Sequence, residues 1–511
     1  MNADSHSADE PADAARRWAV YAVLIAVALG QAAGKILAVN SVDYARLEGA
    51  RINAAVDRAK VRLKGDGLSG DALDAAVRDE RERLTDKLRL QRPFLSANDR
   101  SRWMAVRAIA ENGNHHIDPF LEEPTWDTID MVRHRGRDGE LHLYSSKPPL
   151  LMTLLAGPYW VLMKATGTDL GESPYTLGRT LLLLVNGGAI VLLLLSTARL
   201  AERLGQGDID RIAAVAIAAL ATQLSAFTPV LNNHLLAAAA TAVACHAWVR
   251  LLQDDEAGPR AAFGCGVAAS LAASFDLPAL SLVATLGVTL AWRRPSVAAR
   301  GYLPGVLLVA AAFFGTNYWA HNSLRPPYAH RSATDPEDHW YDYEYTARGQ
   351  TRDSYWRNRQ GIDVGEPSKA TYAVHTLVGH HGVLSLTPVW ALSLLGGCAW
   401  LRSTRDPGRT LAVVTAAVTA ACLVFYIGLR PQGDRNYGGS TTGFRWVFWM
   451  APLWTVMLLP TIRPLTSRRW GVALLATLVA WSTVSASYAT WNPWTHPWLH
   501  QWAKAMGYDL P

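Results

Sequence analysis

Twelve apolar runs dominate the chain. They cover approximately residues 18–39, 148–166, 178–200, 209–228, 232–253, 260–275, 277–293, 301–320, 383–402, 409–429, 444–461 and 470–490. A helix that crosses a bilayer needs about 20 mostly apolar residues, and most of these runs reach or approach that length. Only 18% of the 511 residues are charged, and those gather in the connections between runs. The pattern excludes a soluble globular enzyme, a disordered chain and an array of amphipathic repeats. It predicts an all-α integral membrane protein with about 11–12 transmembrane helices and two long outer-face loops, 40–147 and 321–382.

The net charge of +6 orients the chain in the membrane, since excess Arg and Lys mark cytoplasmic loops; no nucleic-acid partner is expected. Arg16 and Arg17 put the N-terminus, 1–17, in the cytoplasm. Basic clusters at Arg199/Arg203/Arg211, Arg250/Arg260, Arg293/Arg294/Arg300, Arg402/Arg405/Arg409 and Arg463/Arg468/Arg469 fit the same side. One run is then in excess. The segment 148–166, interrupted by Gly157 and Pro158, is expected to be re-entrant or oblique and to line a cavity, where irregular backbone at membrane depth is tolerated. The resulting organisation is 1–17, a first membrane helix 18–39, an outer loop 40–147, a bundle 148–320, a second outer loop 321–382, C-terminal membrane helices 383–490 and a Trp-rich tail 491–511. The first run lacks a small-residue exit and contains Lys35, so it reads as a retained helix. Within the first outer loop, 42–64 and 71–90 predict a helical hairpin turned at Gly65–Gly70. Cys245, Cys265, Cys398 and Cys422 all lie inside apolar runs, which argues against a disulfide framework or zinc site.

Polar residues are concentrated where these runs meet the outer face. Asp99 opens a helical stretch ended by Asn112-Gly113-Asn114, and its carboxylate suits either a helix cap or a base. Lys147-Pro148-Pro149 begins the suspect segment; the lysine suits an interfacial anchor or a phosphate contact. Asn232-Asn233-His234 and Asp276 stand at outer ends of apolar runs, where polar groups usually face a cavity. Asn232 and Asn233 also suit a plain polar turn, and Asp276 a cap ahead of Pro278. The second loop, with HWYDYEYTARGQTRDSYWRNRQG, combines aromatic, acidic and basic residues suited to carbohydrate or to a folded cap. The last outer loop offers Asp434, Arg435 and Arg445 beside Gly438-Gly439, which allows close backbone approach. The vicinal pairs His115-His116 and His380-His381 have metal-ligating chemistry but no evident spaced partner. Trp491, Trp494, Trp498 and Trp502 predict an interfacial belt.

Asp99, the aromatic Trp103 four residues on, and Tyr144-Ser145-Ser146-Lys147-Pro148-Pro149-Leu150 together resemble the GT-C membrane glycosyltransferases. Within them, they resemble the branch of protein O-mannosyltransferases and lipid A aminoarabinose transferases. That branch typically shows Asp-Glu-x-x-Tyr followed by Lys-Pro-Pro, so Arg100 departs from the pattern at the Glu. Arg179 matches a following arginine. The resemblance implies transfer of a sugar from a polyprenyl-phosphate carrier to an outer-face glycan, lipid or protein acceptor, in a bacterial inner membrane. It makes Asp99 the catalytic base, with Lys147 and Arg179 on the phosphate. Tyr144, Trp103, Asn233, His234, Asp276 and Arg445 complete the expected substrate site. A divalent cation is compatible with this scheme but no metal ligand set is evident. A transporter or flippase for a lipid-linked glycan, and a non-catalytic scaffold, are the competing readings; Arg100 favours the scaffold.

Overall fold

The computed structural model describes residues 11–39, 44–88, 94–123, 125–332, 334–404, 407–490, 492–508 and 510. Trp491 and Arg405 lie outside the described residues. The chain is a multi-pass helical membrane protein. Among the described residues, seven helices are long and apolar enough to cross a membrane: Ala12–Ala38, Pro174–Leu204, Asp208–Phe227, Asn233–Gln253, Pro295–His321, Gly408–Leu429 and Arg469–Tyr488. The remaining runs are helical but shorter or broken. Leu150–Thr166 has 17 residues, about 25 Å of helix against a hydrocarbon core of about 30 Å. The run 383–402 divides into Val383–Leu386 and Trp390–Arg402 around Pro388. The run 444–461 becomes short helical pieces, with Pro452 and Pro460 in the first turns of Ala451–Val456 and Leu459–Thr466, because proline removes a backbone donor.

The arginine clusters meet at one end of the bundle. Arg17 pairs with Glu202 at 2.9 Å and Asp208 at 2.8 Å. Arg203 pairs with Asp254 at 3.0 Å, and Arg294 donates to the Leu251 carbonyl at 2.8 Å. Arg293 reaches Thr410 Oγ1 at 3.2 Å, and Arg463 the Gln206 carbonyl at 3.2 Å. At the other end of the first helix, Val39 accepts from Arg179 Nε at 3.2 Å. That bond joins the exit of the first helix to the entry of Pro174–Leu204. The intervening helix Leu150–Thr166 packs on Ala97–Asn112, where Tyr159 hydroxyl and the Glu111 carboxylate bond, and its first turn borders the cavity described below.

Small residues let helices approach closely, as is common between membrane helices. A methyl group on Gly266 would stand 2.2 Å from the Tyr302 carbonyl oxygen, and one on Gly305 2.4 Å from that of Phe263. The helical hairpin forms as Tyr44–Gly65 and Gly70–Leu88, with Ile52, Val56, Ala59 and Leu73 buried between its arms. Among the described residues, two antiparallel strand pairs add to the helical plan. Strands β1 (Met131–Arg135) and β2 (Leu141–Ser145) pair Met131 with Ser145 and Arg135 with Leu141. A second pair, Glu344–Ala347 with Gln350–Asp353, belongs to the second loop.

Candidate functional site

A cavity of about 860 Å³ opens where the ends of the membrane helices meet the two long loops. Its polar floor is assembled from five places in the chain. Asn98 and Arg102 come from the first turns of Ala97–Asn112, a helix fixed by Ser96, whose Oγ accepts from Asp99 N at 3.1 Å. Asp130 and Lys147 stand at the two ends of the β1–β2 hairpin. Asn233 and His234 open the helix capped by Asn232, and Asp276 closes Pro259–Phe275. Arg445 comes from the loop that follows Gly408–Leu429.

These groups form one continuous network. Lys147 Nζ lies 2.7 Å from Asp130 Oδ2, and Asn98 Nδ2 donates to the same oxygen at 2.5 Å. Ser146 hydroxyl binds the other oxygen. Arg102 donates to Asn233 Oδ1 at 2.8 Å, and Asn233 Nδ2 donates to Asp276 Oδ1 at 2.6 Å. His234 Nδ1 sits 2.9 Å from Asp276 Oδ2, and its Nε2 lies 3.4 Å from Arg445. Arginine only donates, so Nε2 accepts and the proton of neutral His234 is on Nδ1, directed to Asp276.

The electrostatics follow from burial and pairing. Burial by itself raises the Asp130 carboxyl, but the Lys147 ammonium, the Ser146 hydroxyl and Arg102 overcome it and hold the group at about 2. Burial lowers the Lys147 ammonium to about 8, against the opposing attraction of Asp130. The cavity thus holds Arg102, Lys147, Arg331, Arg430 and Arg445 against Asp130, Asp276, Asp363 and Asp434. Aromatic faces complete it: Arg445 lies over Trp494 at 4.7 Å, and Trp356, Trp446, Tyr328 and Tyr355 line the wall.

Of the residues expected from the sequence, Lys147, Asn233, His234, Asp276 and Arg445 come together here. Four others do not. Asp99 is fully buried and off the cavity wall; Oδ1 accepts from Leu231 N at 2.8 Å and Oδ2 from Leu95 N at 3.2 Å. It therefore ties the loop before one site helix to the loop before another, and burial raises its carboxyl to about 7. Trp103 is buried against Phe94, ring centroids 4.7 Å apart. Tyr144 packs on His134 at 4.1 Å. Arg179 serves the Val39 carbonyl. Arg100 donates to the Asp127 carbonyl at 2.8 Å and the Phe94 carbonyl at 3.3 Å, bonds that hold loop backbone. In the tail, Trp494 joins the cavity instead of an interfacial belt, whereas Trp498 bonds Ser485 Oγ at 2.9 Å and Trp502 is exposed.

Asp130 is the cavity residue that sequence reasoning misses. Its signal is the alternation of Met131–Arg135 and Leu141–Ser145 around the turn Gly136-Arg137-Asp138-Gly139, a hairpin pattern that places Asp130 beside Lys147.

No protein-family model matches the chain, and no curated protein matches it. Among solved structures, the oligosaccharyltransferase of Archaeoglobus fulgidus is similar. Its form tethered to an acceptor peptide containing an NVT sequon matches at 12% identity and a TM-score of 0.42, covering 81% of this chain and 53% of that one. The apo form matches at 13% identity and 0.40, covering 81% and 54%. The complex with an inhibitory peptide and a dolichol-phosphate matches at 12% and 0.38, covering 81% and 54%. The chain spans about half the length of the solved structures it matches.

Proposed function

We propose that this chain is a membrane glycosyltransferase that takes a sugar from a polyprenyl-phosphate carrier and passes it to an acceptor at the outer face. The observation that carries this reading is the cavity at the helix ends, where Lys147, Arg102 and Arg445 face a space of about 860 Å³ walled by aromatic residues. Preorganised cations stabilise the charge that develops on a leaving phosphate, and aromatic faces suit the apolar faces of sugar rings and a prenyl chain. The orientation follows the arginine-rich end, which reads as cytoplasmic, and the setting as a bacterial inner membrane.

In this scheme the bond between the sugar's anomeric carbon and the carrier phosphate breaks as the acceptor oxygen attacks. Lys147, Arg102 and Arg445 receive the phosphate's negative charge. As Arg445 turns from His234 Nε2 to the phosphate, that nitrogen takes the acceptor's proton, and Asp276, bonded to Nδ1, orients the ring and stabilises the imidazolium. Asp130 has its oxygens engaged by Lys147, Asn98 and Ser146, so it positions the lysine. Asp99 is assigned a positioning role, in place of the base that the family resemblance suggests. An assay of sugar transfer from polyprenyl-phosphate donors in nanodiscs tests the reading. Loss of transfer in His234→Ala and Lys147→Ala, with Asp99→Asn retaining activity, supports it. Unchanged transfer in both His234→Ala and Lys147→Ala refutes it.

A further inference from the structure

We infer that His116, Asp138 and His142 form a binding site for a divalent transition metal of the zinc class, outside the cavity and independent of the transferase reading. The three come from two separate segments: His116 follows the helix Ala97–Asn112, and Asp138 and His142 flank the far end of the β1–β2 hairpin. One ligand atom from each lies within 4.8 Å of the others. The imidazoles of His116 and His142 are stacked with centroids 3.8 Å apart and planes 15° apart. His142 Nε2 lies 2.8 Å from Asp138 Oδ2. Zinc bonds of about 2.0–2.1 Å in tetrahedral arrangement separate ligand atoms by roughly 3.3 Å, so coordination requires the ligand atoms to draw together and one of the stacked rings to turn until both lone pairs converge on the ion.

The surroundings bear on two of the ligands. Asp138 Oδ1 accepts from Glu140 N at 3.1 Å, which leaves Oδ2 directed at His142. Behind His142, Asp118 Oδ2 stands 3.6 Å from Nδ1, and Asp118 is itself held by Leu143 N at 3.1 Å. At 3.6 Å the carboxylate is too far for a hydrogen bond; closing on Nδ1 would give His142 the outer carboxylate partner usual for a metal-bound histidine. Two imidazoles and one carboxylate leave a fourth position open to water, and the half-exposed Asp138 gives the ion a path in. Bound metal would clip the segment after Ala97–Asn112 to the hairpin whose other end carries Asp130 and Lys147.

The test is zinc titration of the full chain in nanodiscs, purified without a histidine tag and stripped with chelator, beside His116→Ala and Asp138→Asn. The histidines of the separate group His375, His380, His381, His496 and His500 are unchanged in all samples, so any zinc they bind cancels in the difference. Wild type is expected to bind one zinc equivalent more than His116→Ala, with affinity at that site reduced roughly ten-fold or more in Asp138→Asn. X-ray absorption of the zinc-loaded wild type is expected to show two imidazole ligands. Equal stoichiometry and affinity in wild type and both variants would overturn the assignment, as would an absorption spectrum without paired imidazoles.

Discussion

The Lys147 ammonium stands 2.7 Å from the Asp130 carboxylate; Asp130 directly precedes β1, and Lys147 follows β2 by two residues. Closure of the hairpin therefore builds the pair, and the fold of this loop fixes the charge at the cavity floor. Removing the lysine strands a buried carboxylate; breaking a buried pair from one side costs about 3 kcal/mol or more. Lys147→Met is expected to lower the thermal midpoint clearly, and Asp130→Asn/Lys147→Met to recover much of the loss. Additive losses in the double variant would show that the two residues are not coupled.

Because burial holds Lys147 at about 8, its charge is present below that pH and lost above it. An exposed lysine would keep its charge until about 10.4. Binding of polyprenyl phosphate, followed by calorimetry, should weaken from pH 7 to 9 with a midpoint near 8. In Lys147→Arg the guanidinium stays charged and that decline should vanish. A flat profile in wild type would contradict the lysine's role.

Asp99 is expected to act on stability. Its folded carboxyl lies near 7, above the ordinary value, so the fold binds its proton more tightly than the unfolded chain does. The contribution is full below about pH 4 and disappears as pH rises through about 7. Asp99→Asn removes this dependence. It also turns an amide NH2 toward one of the two backbone donors, at a cost of about 1–3 kcal/mol. Thermal unfolding across pH 4–8 checks both, and an identical pH profile in the variant would exclude Asp99 as the source.

Gly266→Ala places a methyl 2.2 Å from the Tyr302 carbonyl oxygen, whereas a methyl at Gly264 meets nothing within 4 Å. Overpacking of this kind typically costs about 1–3 kcal/mol. Gly266→Ala should lower the thermal midpoint while Gly264→Ala leaves it near wild type; equal midpoints would refute the close packing.

The bundle was legible because apolar run length reports membrane burial directly. The helical breaks were less so: hydropathy continues through 383–402 and 444–461, and only prolines such as Pro388 and Pro452 signal the interruptions. Lys147, Asn233, His234, Asp276 and Arg445 were legible as polar residues that end apolar runs. Asp99 was not, because its burial depends on the approach of Leu231, 132 positions later, which no local pattern records. Asp130 was missed with the hairpin that positions it, and Trp494 was read as a belt residue because composition does not reveal that Arg445 lies over its ring.

The central claim is that the cavity receives a lipid-linked phosphate. A cryo-electron microscopy map of the protein in nanodiscs with added polyprenyl phosphate tests it most directly. The account predicts headgroup density in contact with Lys147 and Arg445, and prenyl density leaving the cavity along the membrane helices. A filled lipid site elsewhere, with the cavity closed or empty of headgroup density, would contradict it.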